Sequence, residues 1–473
     1  MDNGSGIKLG IVRGISFGVF GAPDDFMPQV RALGAGLARI YLTWNQVEPQ
    51  PGRYDWAIVD ALLAQLQSGD EIWVTVVSSS RWATQQATDF LPASPANDLS
   101  AYLRFVEALV GHCRGTVAYW QCNNEPSNAG LWAGSAADYA AQAIAFADAV
   151  RRTDRGAKIV LGGCGYDVLS APADATSRKF FGEVLSRAGN AFDLFAVHLY
   201  DDPRRIPEHI GDVRAMMRAH GYERPVVVGE YGGPTLLQFP QLDGVMQQVM
   251  MEAFSNAAPS LDSADLRTAV ETPDRQAMRL LYERIADLPP ELQMFMRGCP
   301  PALEAKRHRI ACREMVTRNL LAMAEGVTRT LCWDLAPEVP NYRDPFNLMG
   351  FLSDKLALMD FDGTVLKKRE PAAETFRRLA SALEGAVKAR RLEVRSGVVS
   401  VAVDRAGRGP LNVLWSEADP FIEDAPPVLV ELPWEAPEAL AVDVFGSERK
   451  LSSREGQLSL GVTTTPVLVS AVS

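Results

Sequence analysis

Residues 225–234 read PVVVGEYGGP and residues 117–126 read VAYWQCNNEP, and these two stretches decide the fold. Each is a short apolar run, rich in β-branched or aromatic residues, that ends in a glutamate with proline or a pair of glycines within the next three residues, which is typical of a buried strand and its turn. Six similar runs alternate with helical stretches, at 14–18, 37–44, 71–77, 158–163, 193–200 and 328–335. Eight alternating units predict an α/β fold, a (β/α)8 TIM barrel.

A second, smaller domain is expected because the 473 residues exceed the ~250–300 residues that one core usually holds. After about residue 385 the chain changes to short alternating strands such as GPLNVLWSE, which predict a small all-β sandwich. We therefore assign residues 1–385 to the barrel and residues 386–473 to the sandwich.

The connection between the seventh and eighth strands is longer than the others, with the excess at about residues 235–302. The stretch DRQAMRLLYERIADL within it has helical spacing, so we expect an ordered insertion on the face that carries the strand ends. The insertion is interpreted as a lid or cleft wall. A subunit contact or plain padding is the alternative.

The net charge of the chain limits the kinds of molecule that the protein is expected to bind. The net charge is −11, and the only short basic tract is LKKRE at 366–370, so we expect no nucleic acid partner and a neutral or small-molecule substrate. No run approaches the ~18 apolar residues that span a bilayer, so we expect no membrane partner. The start MDNGSG lacks the pattern of a signal peptide, which favours the cytoplasm. The compartment and the oligomeric state stay open.

Histidine and cysteine spacing predicts neither a metal site nor a cofactor. The five histidines lack the HxxxH pattern, and the six cysteines lack the paired spacing of a zinc site. Cys122, Cys164 and Cys332 lie in strand-like runs and are interpreted as buried core residues. A disulfide between Cys299 and Cys312 is left open.

Glu125 and Glu230 are the candidate catalytic residues, because barrel enzymes build their sites at the C-terminal ends of the strands. Three barrel units of ~31 residues separate the two positions. Inward-facing side chains across a narrow barrel can bring two carboxyls to ~5–5.5 Å, the separation used for retaining hydrolysis of a glycosidic bond. One carboxyl must then stay protonated while the other is ionised.

Three further polar side chains are expected around this pair. Arg39, near the end of the second strand, is placed to hold Glu230 ionised, and Tyr200, ending the sixth strand, is placed to position it. Asn124 offers an amide to a sugar hydroxyl. A structural ion pair for Arg39 and core packing for Tyr200 are the alternatives.

Three motifs resemble those of the clan A retaining glycoside hydrolases: NNEP after strand 4, VGEYGG at strand 7 and WNQVEPQPGRYDW after strand 2. The resemblance covers about residues 10–385, and the appended β-sandwich resembles families that include family 39. It implies that Glu125 is the acid/base and Glu230 the nucleophile. It further implies a carbohydrate substrate and a covalent glycosyl-enzyme intermediate.

The same resemblance places His198, in the motif HLY, and Trp333, on strand 8, around the reactive sugar. Trp82 and Trp132, in the loops after strands 3 and 4, are candidates for a similar sugar contact. A satisfied core histidine is the alternative for His198. The expected activity is hydrolysis of a β-linked glycoside or oligosaccharide. Transglycosylation by the same residues and non-catalytic carbohydrate binding are the alternatives.

Overall fold

Eight parallel strands form a closed barrel in chain order, and the last strand pairs with the first. They are β1 (Lys8–Gly14), β2 (Leu37–Thr43), β3 (Glu71–Val77), β4 (Tyr119–Cys122), β5 (Lys158–Cys164), β6 (Leu194–Leu199), β7 (Val226–Tyr231) and β8 (Arg329–Cys332). The TIM barrel predicted from the sequence is confirmed. This computed structural model describes residues 6–20, 25–239, 242, 262–264, 273–338, 346, 348–362, 365–419, 421 and 426–472.

The position predicted for the first strand was wrong. Strand β1 covers Lys8–Gly14, whereas residues 15–19 form a turn. Phe17, the aromatic residue of the predicted run, is buried by an edge-on contact with Phe26 at 5.3 Å between ring centroids. Its apolar character therefore reflects packing in a loop and not pairing in the sheet. The other seven predicted runs overlap β2 to β8.

Eight helices complete the units around the barrel: α1 (Met27–Ala32), α2 (Ala57–Leu63), α3 (Leu99–His112), α4 (Ala136–Thr153), α5 (Thr176–Ala188), α6 (Ile206–Arg218), α7 (Pro301–Ala324) and α8 (Pro371–Ala382). Local sequence sets some of their starts, since Ser135 and Asp138 form a capping box at α4. Within the described part of the chain, no helix has the length and apolar character needed to cross a membrane.

Shorter elements lie in the connections. The helices and helical turns of the connections are Trp44–Val47, Tyr166–Leu169, Pro203–Arg205, Leu236–Gln238, Pro273–Glu283, Ile285–Asp287, Pro290–Gln293, Leu348–Ser353 and Asp354–Leu356. A hairpin of β9 (Met359–Asp362) and β10 (Val365–Arg369) precedes α8. The helix Pro273–Glu283 and the turn Ile285–Asp287 lie in the stretch where the sequence predicted helix.

The segment between β7 and α7, here called the insertion, has an apolar core separate from that of the barrel. This cluster comprises Leu236, Phe239, Leu242, Ala277, Met278, Leu281, Leu292, Met294, Phe295 and Met296 of the insertion, together with Phe351 from the helix Leu348–Ser353 after β8. Residues 240–241, 243–261 and 265–272 of the predicted insertion lie outside the described residues. The separate core shows that the described part of the insertion is packed and ordered.

The insertion also contacts the opposite side of the barrel mouth. The backbone N and Oγ of Ser263 donate to Asp89, in the loop after β3, at 2.8 and 2.9 Å. Strands β3 and β7 stand four places apart in the ring of eight. The insertion therefore starts on one side of the mouth and is anchored on the other.

The C-terminal strands form the predicted sandwich. They are β11 (Ala386–Leu392), β12 (Val398–Arg405), β13 (Leu411–Ser416), β14 (Val428–Pro433), β15 (Glu438–Asp443), β16 (Glu448–Ser452), β17 (Gln457–Val462) and β18 (Val467–Ala471). A six-stranded sheet in the order β11-β12-β13-β18-β15-β16 accompanies the pair β14-β17. In β12, Val399 and Val401 join the barrel core, while Val398 joins the sandwich core. The large sheet is therefore packed on both faces.

The cysteines are free thiols. Cys122, Cys164 and Cys332 are buried on strands, as predicted. Cys299 and Cys312, whose pairing the sequence left open, are not bonded to each other. No disulfide therefore contributes to the described fold.

The N-terminal end of the barrel is held by an ionic network around Glu71. Its carboxylate accepts hydrogen bonds from Arg329 at 3.0 Å and Tyr119 at 3.0 Å, and pairs with Lys8 at 2.6 Å. Burial raises the pKa of Glu71, but the hydrogen bonds and charges of Lys8 and Arg329 outweigh burial and leave this pKa below its usual range. The network joins β1, β3, β4 and β8.

Replacing this carboxylate should destabilise the barrel in a pH-dependent way. We expect Glu71→Gln to lower the free energy of unfolding by about 2 kcal/mol at pH 7, between the values for exposed and buried ion pairs. Because the folded pKa is depressed, the difference from wild type should shrink as the pH falls through that pKa. Thermal melting between pH 7 and pH 3 measures it. Glu107→Gln, which breaks an exposed pair with Arg152, is the control.

Candidate active site

The two predicted catalytic glutamates lie close together at the mouth of the barrel. Glu230 is on β7, and Glu125 follows β4. One oxygen of Glu125 and one of Glu230 lie within 4.8 Å of each other. His198 Nδ1 lies 2.5 Å from Glu125 Oε1 and 3.3 Å from Glu230 Oε2. The structure thus brings both glutamates and His198 into one cluster.

Glu230 is buried and receives three hydrogen bonds. Arg39 Nη1 and the Tyr41 hydroxyl donate to Oε1 at 2.9 and 2.5 Å, and the Tyr200 hydroxyl donates to Oε2 at 2.7 Å. Burial raises the pKa of Glu230, but the electrostatic influence of His198 and Arg39 and the two tyrosine hydrogen bonds leave this pKa below its usual range. Glu230 is therefore a carboxylate at neutral pH.

Arg39 is fully buried and organises the floor of the site. Besides Glu230, it donates to the Gly229 carbonyl at 3.0 Å and to Asn124 Oδ1 at 2.8 Å. Its guanidinium carbon lies 4.8 Å from the centre of the Tyr41 ring, a cation–π contact. Because Arg39 offers only donors, it turns the Asn124 oxygen inward and leaves the amide nitrogen directed away from it.

The backbone of the NNEP motif is wound into the left-handed region. Asn123 has φ 54° and Glu125 has φ 40°, a conformation that costs non-glycine residues of order 1–3 kcal/mol. The buried Asn123 side chain accepts hydrogen bonds from the backbone N of Ser78 at 2.7 Å and from the Ser78 hydroxyl at 3.1 Å. These bonds hold the turn that directs Glu125 toward β7.

Space for the cluster depends on the glycines of GGCG, at the end of β5. A Cβ added to Gly163, which has φ +24°, would lie 2.5 Å from His198 Cε1 and 3.0 Å from Glu125 Cγ. A Cβ on Gly165 would lie 2.9 Å from Glu125 Oε1. The backbone of β5 can therefore approach the cluster only without side chains at these positions.

The predicted tryptophans fall into two groups. Trp333, at the end of β8, lies edge-on to Tyr41 at 6.5 Å between ring centroids, which places it beside Glu230. Trp82 donates to the Glu48 carbonyl at 2.9 Å, and buried Trp132 donates to the Ser135 carbonyl at 3.3 Å. The contacts of Trp82 and Trp132 are those of loop packing, and a sugar contact for these two remains a prediction.

Sequence reasoning missed several residues that shape the site. Tyr41 follows Arg39 by two positions on β2, so strand alternation would have placed it on the same inward face. Thr75, on β3, accepts from Arg39 Nε at 3.0 Å. Ser78 left no comparable signal, because its contact with Asn123 depends on how two loops meet.

The cluster offers three possible metal ligands, one atom each from Glu125, His198 and Glu230. A cation there would lie next to the buried Arg39 guanidinium, which already pairs with Glu230. The repulsion between two positive charges in a buried site is large. The arrangement therefore suits acid–base and nucleophilic chemistry better than metal binding.

Comparison with known proteins identifies the fold. No protein-family profile and no curated protein matches the sequence. A family 39 glycoside hydrolase from Bacteroides cellulosilyticus is similar in structure, with TM-score 0.62, 13% identity, and coverage of 99% of this chain and 81% of that one. A family 51 α-L-arabinofuranosidase from Bifidobacterium longum has TM-score 0.57, 12% identity and coverage of 100% and 98%.

A glucosidase from Croceicoccus marinus is also similar, with TM-score 0.53, 15% identity, and coverage of 99% of this chain and 98% of that one. These proteins share the barrel architecture along almost the whole chain. The fold is therefore a TIM barrel with an appended β-sandwich. More specifically, these glycoside hydrolases have a similar fold.

The close approach of β5 to the cluster of Glu125, His198 and Glu230 can be tested by substitution. We expect Gly163→Ala to lower the free energy of unfolding by about 1–3 kcal/mol, because the methyl group meets His198 and the backbone is in the left-handed region. Gly182→Ala is the matched control, because Gly182 lies in α5 with open space around its Cα. Thermal melting compares the two. Equal melting temperatures would contradict the assigned close contact.

Proposed function

We propose that this protein is a retaining glycoside hydrolase that cleaves β-linked glycosides or oligosaccharides, with Glu230 as nucleophile and Glu125 as acid/base. The observation that carries the proposal is the short distance between the carboxylates, with one oxygen of each within 4.8 Å. Retaining enzymes use a separation of ~5–5.5 Å, whereas inverting enzymes use ~6.5–9.5 Å to admit a water molecule. The close approach of the present pair favours the retaining mechanism.

In the first step, the Glu230 carboxylate attacks the anomeric carbon of the sugar, and the bond to the leaving oxygen breaks. Glu125 gives its proton to that oxygen, so the leaving group departs as an alcohol. The lowered pKa of Glu230 supports its role as the ionised partner. The more exposed position of Glu125 suits a group that exchanges protons with the leaving group and with water.

In the second step, Glu125 removes a proton from water, and the oxygen of this water attacks the anomeric carbon and releases Glu230. Two inversions at one carbon give net retention. In this proposal the amide nitrogen of Asn124, whose oxygen accepts from Arg39, donates to a sugar hydroxyl during both steps. Trp333 supplies an apolar face for the C–H groups of the ring.

The β linkage rests on the sequence resemblance to clan A. One structural neighbour is described as an α-L-arabinofuranosidase, so the fold alone is compatible with substrates of either anomeric configuration. Aryl glycosides of both anomeric series, assayed in parallel with the product anomer read by NMR, test linkage and stereochemistry together. If the first sugar product had the anomeric configuration opposite to that of the substrate, the retaining mechanism would be contradicted.

Substitution of the two glutamates should have different consequences. We expect Glu230→Gln to abolish turnover, because no nucleophile remains. We expect Glu125→Gln to keep the first step on dinitrophenyl glycosides, whose leaving group needs no proton, but to slow substrates with alkyl leaving groups by at least about 100-fold. Steady-state and burst kinetics measure both.

Added azide separates the two roles further. In Glu125→Gln it should accelerate turnover of dinitrophenyl glycosides and yield a glycosyl azide of retained configuration, since azide needs no general base. Glu107→Gln, on the surface of α3, is the control and should behave as wild type. If azide instead restored turnover of Glu230→Gln and the glycosyl azide kept the configuration of the substrate, the roles of Glu125 and Glu230 would have to be exchanged. Transfer to added sugar acceptors in preference to water would indicate transglycosylation.

The pH profile tests what holds Glu230 ionised. Because the Tyr41 hydroxyl lowers the pKa of Glu230, Tyr41→Phe should raise that pKa and move the acidic limb of kcat/KM to higher pH. Tyr102→Phe, which removes a buried hydroxyl from α3, is the control. An unchanged acidic limb in Tyr41→Phe would show that another group titrates there.

A further inference from the structure

We propose that a cavity beside the active site is a binding subsite for a second, neutral sugar unit of the substrate. This inference rests on the proposed glycosidase function. The cavity has a volume of about 200 Å³ and lies between three parts of the chain: the loop after β6, the insertion and the loop after β13 of the sandwich. Its principal lining residues are Asp202, Arg204, Phe239, Glu291, Asp419 and Phe421.

The cavity adjoins the rim of the active site on the side of β6 and β7. Tyr200, which donates to Glu230, lies two residues before Asp202, so their Cα atoms are at most ~7.6 Å apart. The Thr235 hydroxyl donates to the Tyr200 carbonyl at 2.5 Å and ties the start of the insertion to the same rim. A chain of sugars leaving the reactive position on this side therefore meets the cavity.

Aromatic side chains from two domains form the apolar wall. Phe239 of the insertion and Phe421 of the sandwich loop pack edge-on, with ring centroids 4.8 Å apart. Lys306 Nζ lies over the Phe421 ring at 4.7 Å and fixes its orientation from α7. Sugar rings present C–H groups on one face, and aromatic side chains are the apolar surfaces that match them.

The polar wall provides hydrogen-bond acceptors. Asp202 is paired with Arg204, which donates from Nε to both carboxylate oxygens at 3.0 Å. Asp419 accepts only the Phe421 backbone N, at 2.9 Å, among the described residues. Glu291 makes no hydrogen bond or ion pair with any other part of the described chain. The carboxylates of Asp419 and Glu291 are thus available to sugar hydroxyl groups.

The volume of the cavity and the charge of its lining residues favour one class of ligand. At ~30 Å³ for each water molecule, the cavity has the volume of roughly six or seven waters, which one sugar ring could displace. The four ionised groups of the lining comprise three carboxylates and one guanidinium. A uronate or a sulfated sugar would face this excess negative charge, whereas a neutral hydroxylated ring would not.

Substrates of different length test the subsite. We expect Phe421→Ala and Glu291→Ala each to lower kcat/KM about tenfold for an oligosaccharide, because each removes one contact with the second sugar. The same variants should leave kcat/KM unchanged for the aryl glycoside of a single sugar. Phe445→Ala, on an exposed turn of the sandwich, is the matched control. Equal losses on both substrates, or no loss on the oligosaccharide, would overturn the subsite.

Binding measurements separate this inference from the proposed function. If the wild-type chain hydrolyses no glycoside in the panel, the proposed function fails, and calorimetric titration of neutral oligosaccharides into Glu230→Gln still tests the cavity. Binding that Phe421→Ala weakens about tenfold supports the subsite, and absent or unchanged binding refutes it. An oligosaccharide whose second unit is a uronate should bind more weakly, and tighter binding would refute the assignment to a neutral sugar.

Discussion

The arrangement of the barrel mouth depends on one buried cation. A guanidinium without solvent contact must find compensating charge and acceptors for its N–H groups, or the fold loses several kcal/mol. Arg39 finds them on β3, after β4 and on β7, through Thr75, Asn124 and the pair Gly229 and Glu230. The carboxylate proposed as nucleophile is therefore also the counter-charge that makes Arg39 tolerable.

Sequence reasoning succeeded where chemistry coincided with a strand end. Glu125 and Glu230 could be paired because barrel geometry relates strand ends in a regular way. The left-handed turn at Asn123 and Glu125 could not be predicted, because residues with side chains adopt it only when distant groups such as Ser78 hold it. The misplaced first strand has a similar cause, since Phe17 is buried by a loop contact that no local pattern reports.

The packing of the sandwich against the barrel could not be predicted from local sequence patterns either. Alternation in VVSVAV predicts one buried face, but β12 is covered on both, by the barrel and by the second sheet. That double burial fixes the position of the sandwich, so the loop that carries Phe421 meets the insertion at a defined place. The appended domain thereby takes part in shaping the mouth of the barrel, which its position at the end of the chain does not suggest.

The separate apolar core of the insertion has an evolutionary consequence. Phe239 and the residues packed around it can be exchanged without disturbing the packing inside the barrel, because the two clusters share no members. Changes in this cluster act on the packing of the insertion, whereas changes around Arg39 act on the strand ends of the barrel itself. Such a division would let the rim of the mouth change shape while the barrel beneath it keeps its packing.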